Sequence, residues 1–69
     1  MSAELWRVDE NKLFLYVEAI HQREIQNIKR SRNWRIVATY TKNKRVIAYQ
    51  YAVPVFDYRK AKRIFKKCT

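Results

Sequence analysis

The sequence predicts a small α+β domain in the order α-β-β-α, with an antiparallel hairpin packed under two helices and a basic amphipathic helix at the C-terminus. Three observations predict it. Apolar residues recur at helical spacing from Leu13 to Ile28. Two segments rich in β-branched and aromatic residues flank "KNKR". The stretch "DYRKAKRIFKKC" after Pro54 alternates apolar and cationic residues at a helical period.

The 69 residues form a single domain, 1–69. A chain this short buries only ~60% of its unfolded surface. Cys68 is the lone cysteine and His21 the lone histidine, so neither a disulfide within the chain nor a four-ligand zinc site is expected. Packing must then carry the fold, and ten aromatics within a 48% hydrophobic composition make that plausible and disorder unexpected.

The first helix is placed at about 9–31. Asp9 suits the N-cap, Glu10 the first turn, and Val8 with Leu13 has the spacing of a hydrophobic staple. Leu13, Phe14, Tyr16, Val17, Ile20, Ile25 and Ile28 share one broad face, opposite Glu18, Gln22, Gln26, Lys29 and Arg30. Leu15 and Glu24 break the pattern. A rival reading folds "LWRV" and "LFLYV" into a hairpin around "DENK". The period that continues to Ile28 favours the helix, with "ELWRV" as a candidate short leading strand. "RSRN" ends the helix with cations near its negative pole.

The hairpin is placed at about 34–53. With Asn43 and Lys44 at the centre of the turn, Tyr40 opposes Ile47, Ala38 opposes Tyr49, Ile36 opposes Tyr51 and Trp34 opposes Val53. All eight then share one face, read as the core. The other face carries Arg35, Val37, Thr39, Thr41, Val46, Ala48, Gln50 and Ala52, a surface for a ligand or a homodimer. Asn-Lys lacks the glycine that a two-residue type I′ turn prefers, which leaves a longer loop as an alternative. Pro54 ends the pairing and Asp57 caps a second helix at about 57–67. Tyr58, Ala61, Ile64, Phe65 and Cys68 face inward there, and Arg59, Lys60, Lys62, Arg63, Lys66 and Lys67 face out.

Charge is the strongest functional signal. The net charge is +10, and it is unevenly spread: residues 1–33 hold six basic and five acidic residues, residues 34–69 ten basic and one acidic. A solvated helix normally mixes acids among its bases for i,i+4 pairing. Past Asp57 the second helix has none, so a polyanion partner is expected to screen it. The expected function is a small, non-catalytic nucleic-acid-binding protein with an accessory, regulatory or architectural role. Duplex DNA is favoured over RNA. The expected contacts to phosphate are Arg59, Lys60, Arg63, Lys66, Lys67, Lys42, Lys44 and Arg45, with Arg35, Thr39 or Gln50 reading bases. The alternative is a modulator or inhibitor that docks its basic face on an acidic protein.

No enzyme is expected. His21 has no evident partner, and no acid pair is marked for acid/base work. Without glycine there is no phosphate-cradling loop, and no cofactor or metal is implied. A buried or frayed thiol is expected at Cys68. The apolar runs fall short of a signal peptide or membrane span, so a soluble, cytoplasmic protein without a membrane partner is expected.

The run "NWRIVATYTKNKRVIAYQYAVPVFDYRKAKRIF" resembles the small arm-binding domains at the N-termini of some phage-type integrases. The order helix, sheet, basic helix is similar to double-stranded-RNA-binding domains. The chain lacks the glycines of both families. Both resemblances imply a nucleic-acid partner.

Overall fold

The computed structural model describes residues 3–69. The chain runs β1 (Ala3–Arg7), β2 (Lys12–Glu18), α1 (Gln22–Ser31), β3 (Arg35–Lys42), β4 (Arg45–Pro54), a 3₁₀ turn (Val55–Asp57) and α2 (Tyr58–Lys67). The class is α+β as expected, but the order is ββαββα. Four antiparallel strands form one sheet in the order β1-β2-β4-β3.

The long first helix expected at 9–31 is not formed. The segment is a hairpin followed by a shorter helix, so the rival reading of "LWRV" and "LFLYV" is the one the chain adopts. The physical reason lies in β2, a central strand with both faces apolar. Leu13, Leu15 and Val17 point to the core, while Phe14 and Tyr16 point to the other face and are half-buried. A strand apolar on both faces shows no alternation, and its run also fits a helical period. Leu15, which broke the helical pattern, is fully buried. Asp9 is no helix cap; its Oδ1 accepts the backbone N–H groups of Asn11 (2.7 Å) and Lys12 (3.0 Å), closing the β1–β2 turn without glycine. Ile20, assigned to the apolar face, is 78% exposed in the turn before α1.

Both helices cover the same sheet face. The core joins Ala3, Leu13, Leu15, Val17, Tyr51 and Val53 of the sheet to Ile25 and Ile28 of α1 and to Ala61, Ile64 and Cys68 of α2. Each fully buried Leu, Ile or Val contributes about 1.5–3 kcal/mol by leaving water. Trp34, just ahead of β3, closes one end of the core. Its Nε1–H donates to Asp57 Oδ2 at 3.0 Å, tying β3 to the entrance of α2.

The second hairpin departs from the expected register in its middle. Asn43 (φ 53°) and Lys44 (φ 66°) form a two-residue turn, and Ile36 pairs with Tyr51 as expected. Between them the pairs are Ala38 with Gln50, Thr39 with Tyr49 and Tyr40 with Ala48. Register shifts lie between Ile36 and Ala38 and between Tyr40 and Thr41. One extra residue on β3, Val37, and one on β4, Ile47, cancel each other. The displaced segment turns Ala38 and Tyr40 away from the helices and puts Thr39 on the helix side. The eight bulky residues expected on one face are therefore divided.

Candidate nucleic-acid interface

α2 presents its cations as the sequence leads one to expect. Ala61, Ile64 and Cys68 are buried, and Arg59, Lys60, Lys62, Arg63, Lys66 and Lys67 are all exposed. Arg59, Lys62, Arg63 and Lys66 line a shallow concavity of about 250 Å³ on the outer surface. Lys62, not among the expected phosphate contacts, lies on this surface with its ammonium 5.7 Å from the Tyr58 ring centroid, within cation–π range. Asp57 Oδ1, largely shielded from solvent, stands 3.7 Å from Nζ of the exposed Lys60, a long and weak pair. Phe56 is 85% exposed immediately before α2. At three and four residues' spacing it leads into Arg59 and Lys60.

Asp57 occupies the N-cap position, but its side chain makes no capping hydrogen bond. It serves Trp34 instead. Lys66 and Lys67 fall in the last turn, where the helix dipole favours positive charge.

The other expected cations are spread along the sheet. Lys42, Lys44 and Arg45 surround the β3–β4 turn, and Arg35 stands at the opposite end of β3. From Arg45 to Pro54, where the chain turns into α2, β4 spans about 30 Å of extended chain. That is most of the molecule's 35 Å length. The turn cluster and the Arg59–Lys60 end of α2 thus lie far apart, while the Cys68 end of α2 runs back to α1 and feels the charge of Glu24.

The sheet face away from the helices holds residues the sequence reading placed elsewhere. Cross-strand pairing sets out three rows: Trp6–Phe14–Ala52–Arg35, Glu4–Tyr16–Gln50–Ala38 and Glu18–Ala48–Tyr40. Trp6 packs edge-to-face on Phe14, with centroids 5.7 Å apart, and Tyr16 on Tyr40 at 5.5 Å. Gln50, an expected base reader, is buried beneath the tyrosines, and its Oε1 accepts the Tyr40 hydroxyl at 2.5 Å. Thr39 is on the helix side. Of the expected base readers, only Arg35 stands exposed on this open face. Trp6, Phe14 and Tyr16 were missed because they were read as parts of a leading strand and a helix face. The signal that finds them is the "DENK" turn between two apolar runs.

Trp34, Tyr49 and Tyr51 belong to the core side as expected, Trp34 and Tyr51 buried and Tyr49 packed against the cluster. Burial, and secondarily the charge of Tyr49, pushes the Tyr51 hydroxyl up to about 12. Burial, then Glu24, pushes the Cys68 thiol up to about 11. A cleft of about 600 Å³ between β1 and α2 is lined by apolar residues with Arg7 and Lys62 at its rim. Arg7 donates Nε–H to the Asp9 carbonyl at 2.9 Å, bracing the first hairpin turn. Among the described residues, no group of three His, Cys, Asp or Glu is placed to hold a metal ion, and no helix is long and apolar enough to cross a membrane.

Comparison of the chain with protein families, curated proteins and solved structures finds no match, so neither resemblance of the sequence gains support.

Proposed function

We propose that the chain is a small basic nucleic-acid-binding protein that grips the phosphate backbone mainly through α2, with duplex DNA as its first ligand and an accessory or architectural role. One observation carries the reading. Six cations stand exposed on the outer face of a ten-residue helix, with a single carboxylate, Asp57, against one of them. Uncompensated like charges at this density repel one another, and a polyanion removes that cost. Exposed backbone-contacting cations give affinity without strong sequence choice, which suits a generic binder.

The test is fluorescence anisotropy with a labelled random duplex of about 20 base pairs across a salt series. With about six phosphates engaged, log K falls against log salt with a slope near −5. The triple variant Lys60→Glu, Arg63→Glu, Lys67→Glu loses this binding. Unchanged affinity in the triple variant sinks the proposal. An absence of duplex binding at low salt would hand the basic face to an acidic protein partner.

A further inference from the structure

We propose that the open face of the sheet is a second site, which stacks unpaired bases of single-stranded nucleic acid in a slot formed by Phe14, Ala52 and Arg35 beside Trp6. This rests on the nucleic-acid reading above and assigns it a second surface.

The slot follows from the register. Phe14 on β2 and Arg35 on β3 both pair with Ala52 on β4, the strand between them. Two strand spacings separate the Phe14 and Arg35 backbones by about 10 Å, and Ala52 between them carries only a methyl group. A flat ring in van der Waals contact with both walls needs about 7 Å. A phenyl ring on one side and a guanidinium plane on the other are both surfaces on which any base stacks. Trp6, 41% exposed and edge-to-face on Phe14, extends the aromatic surface onto β1.

The next row has no such opening. There Tyr16 and Tyr40 meet over the buried Gln50.

Charge selects the same end. Arg35 supplies positive charge at the slot, Lys12, next along β2, stands 3.9 Å from the Asp9 carboxylate, and Glu4 and Glu18 occupy the rows beyond it. A phosphate backbone is therefore drawn toward Arg35 and kept off the rows of Glu4 and Glu18. Both helices pack on the other face, so no element of the described residues covers these rings. A large apolar face left to water is unusual without a ligand.

Trp6 provides the readout. A Trp34→Phe variant leaves it as the only tryptophan of the two in the chain. Its emission is followed during titration with short oligo(dT) and oligo(U), next to anisotropy on the duplex. The expected result is saturable quenching in step with single-strand binding. Ala52→Leu, which fills the slot, and Phe14→Leu, which removes its ring, each weaken single-strand binding about 5- to 150-fold, the range for losing one stacked base. Arg35→Gln, at an exposed position, weakens it in the same direction. Duplex affinity stays within about twofold of the parent in Ala52→Leu and Phe14→Leu. Circular dichroism confirms the fold of each variant.

If the duplex binds but single strands bind without quenching, or bind the Ala52→Leu and Arg35→Gln variants as they bind the parent, the slot alone is overturned. If neither nucleic acid binds, the nucleic-acid reading falls and the slot with it. Trp6 emission that changes with protein concentration rather than with oligonucleotide would assign the face to a second copy of the chain and overturn the slot.

Discussion

Asp57 shows how one side chain can stand at two junctions. At the sequence level it is a helix cap. In the fold its Oδ2 accepts the indole N–H of nearly buried Trp34, and its Oδ1 faces Lys60. Removing the acceptor leaves a desolvated donor, at a cost of about 1–3 kcal/mol. For a domain of this size each kcal/mol moves Tm by about 4–8 °C. Asp57→Ala is expected to lower Tm by roughly 5–20 °C in a thermal melt. Asp57→Asn, which keeps an oxygen acceptor, is expected to lose clearly less; equal losses would show that the hydrogen bond is not the cause. Lys44 makes the opposite case. It sits at φ 66°, a conformation that costs a non-glycine residue about 1–2 kcal/mol. Lys44→Gly relieves this and gives back about 0.5–1 kcal/mol in unfolded-chain entropy. The expected net is a Tm rise of a few degrees, and a fall would show that the Lys44 side chain stabilises the turn.

At the scale of elements, the sequence was legible where one face of an element is apolar and the other charged. α2 is such an element. Its bounds, its inward Ala61, Ile64 and Cys68 and its outward cations could all be read from the wheel. The second hairpin and its Asn43–Lys44 turn were legible from composition. The first hairpin was not, because Phe14 and Tyr16 make β2 apolar on both faces and hide its period. The cost fell on the functional reading. The basic helix face was found, while Trp6, Phe14 and Tyr16 were assigned to other roles, and Gln50 was expected to meet a base where it bonds Tyr40. Only pairing across three strands brings Phe14, Ala52 and Arg35 into one row, and residues this distant in sequence carry no local signature of it.

At the scale of the whole molecule, the two helices and the sheet close over groups that must stay neutral. The Tyr51 hydroxyl is pushed up to about 12 and the Cys68 thiol to about 11, from ordinary values of 10.0 and 9.0. Both groups hold their protons more tightly folded than unfolded. Their contribution to stability is complete below about pH 9 and is lost as pH rises toward 11 and then 12. Melts from pH 8 to 11.5 are expected to show falling Tm above pH 9, and Cys68→Ala is expected to flatten the first part of that fall; an unchanged profile would reject the assignment to Cys68. The second hairpin has a further consequence, in the order of events as the chain folds. Its turn and its Ile36–Tyr51 pair are common to two ladders, one plain and one carrying Val37 and Ile47 as extra residues. What distinguishes them lies partly within the hairpin, where the Tyr40 hydroxyl donates to Gln50, and partly in distant parts of the chain: the Ile47 carbonyl accepts the Ala19 N–H at 2.8 Å, and Tyr40 packs on Tyr16 of β2. A peptide cut to this hairpin keeps the first of these and loses the two that hold the shifted ladder from outside. In the intact protein, the arrival of the first hairpin is then expected to complete the shifted ladder of β3 on β4.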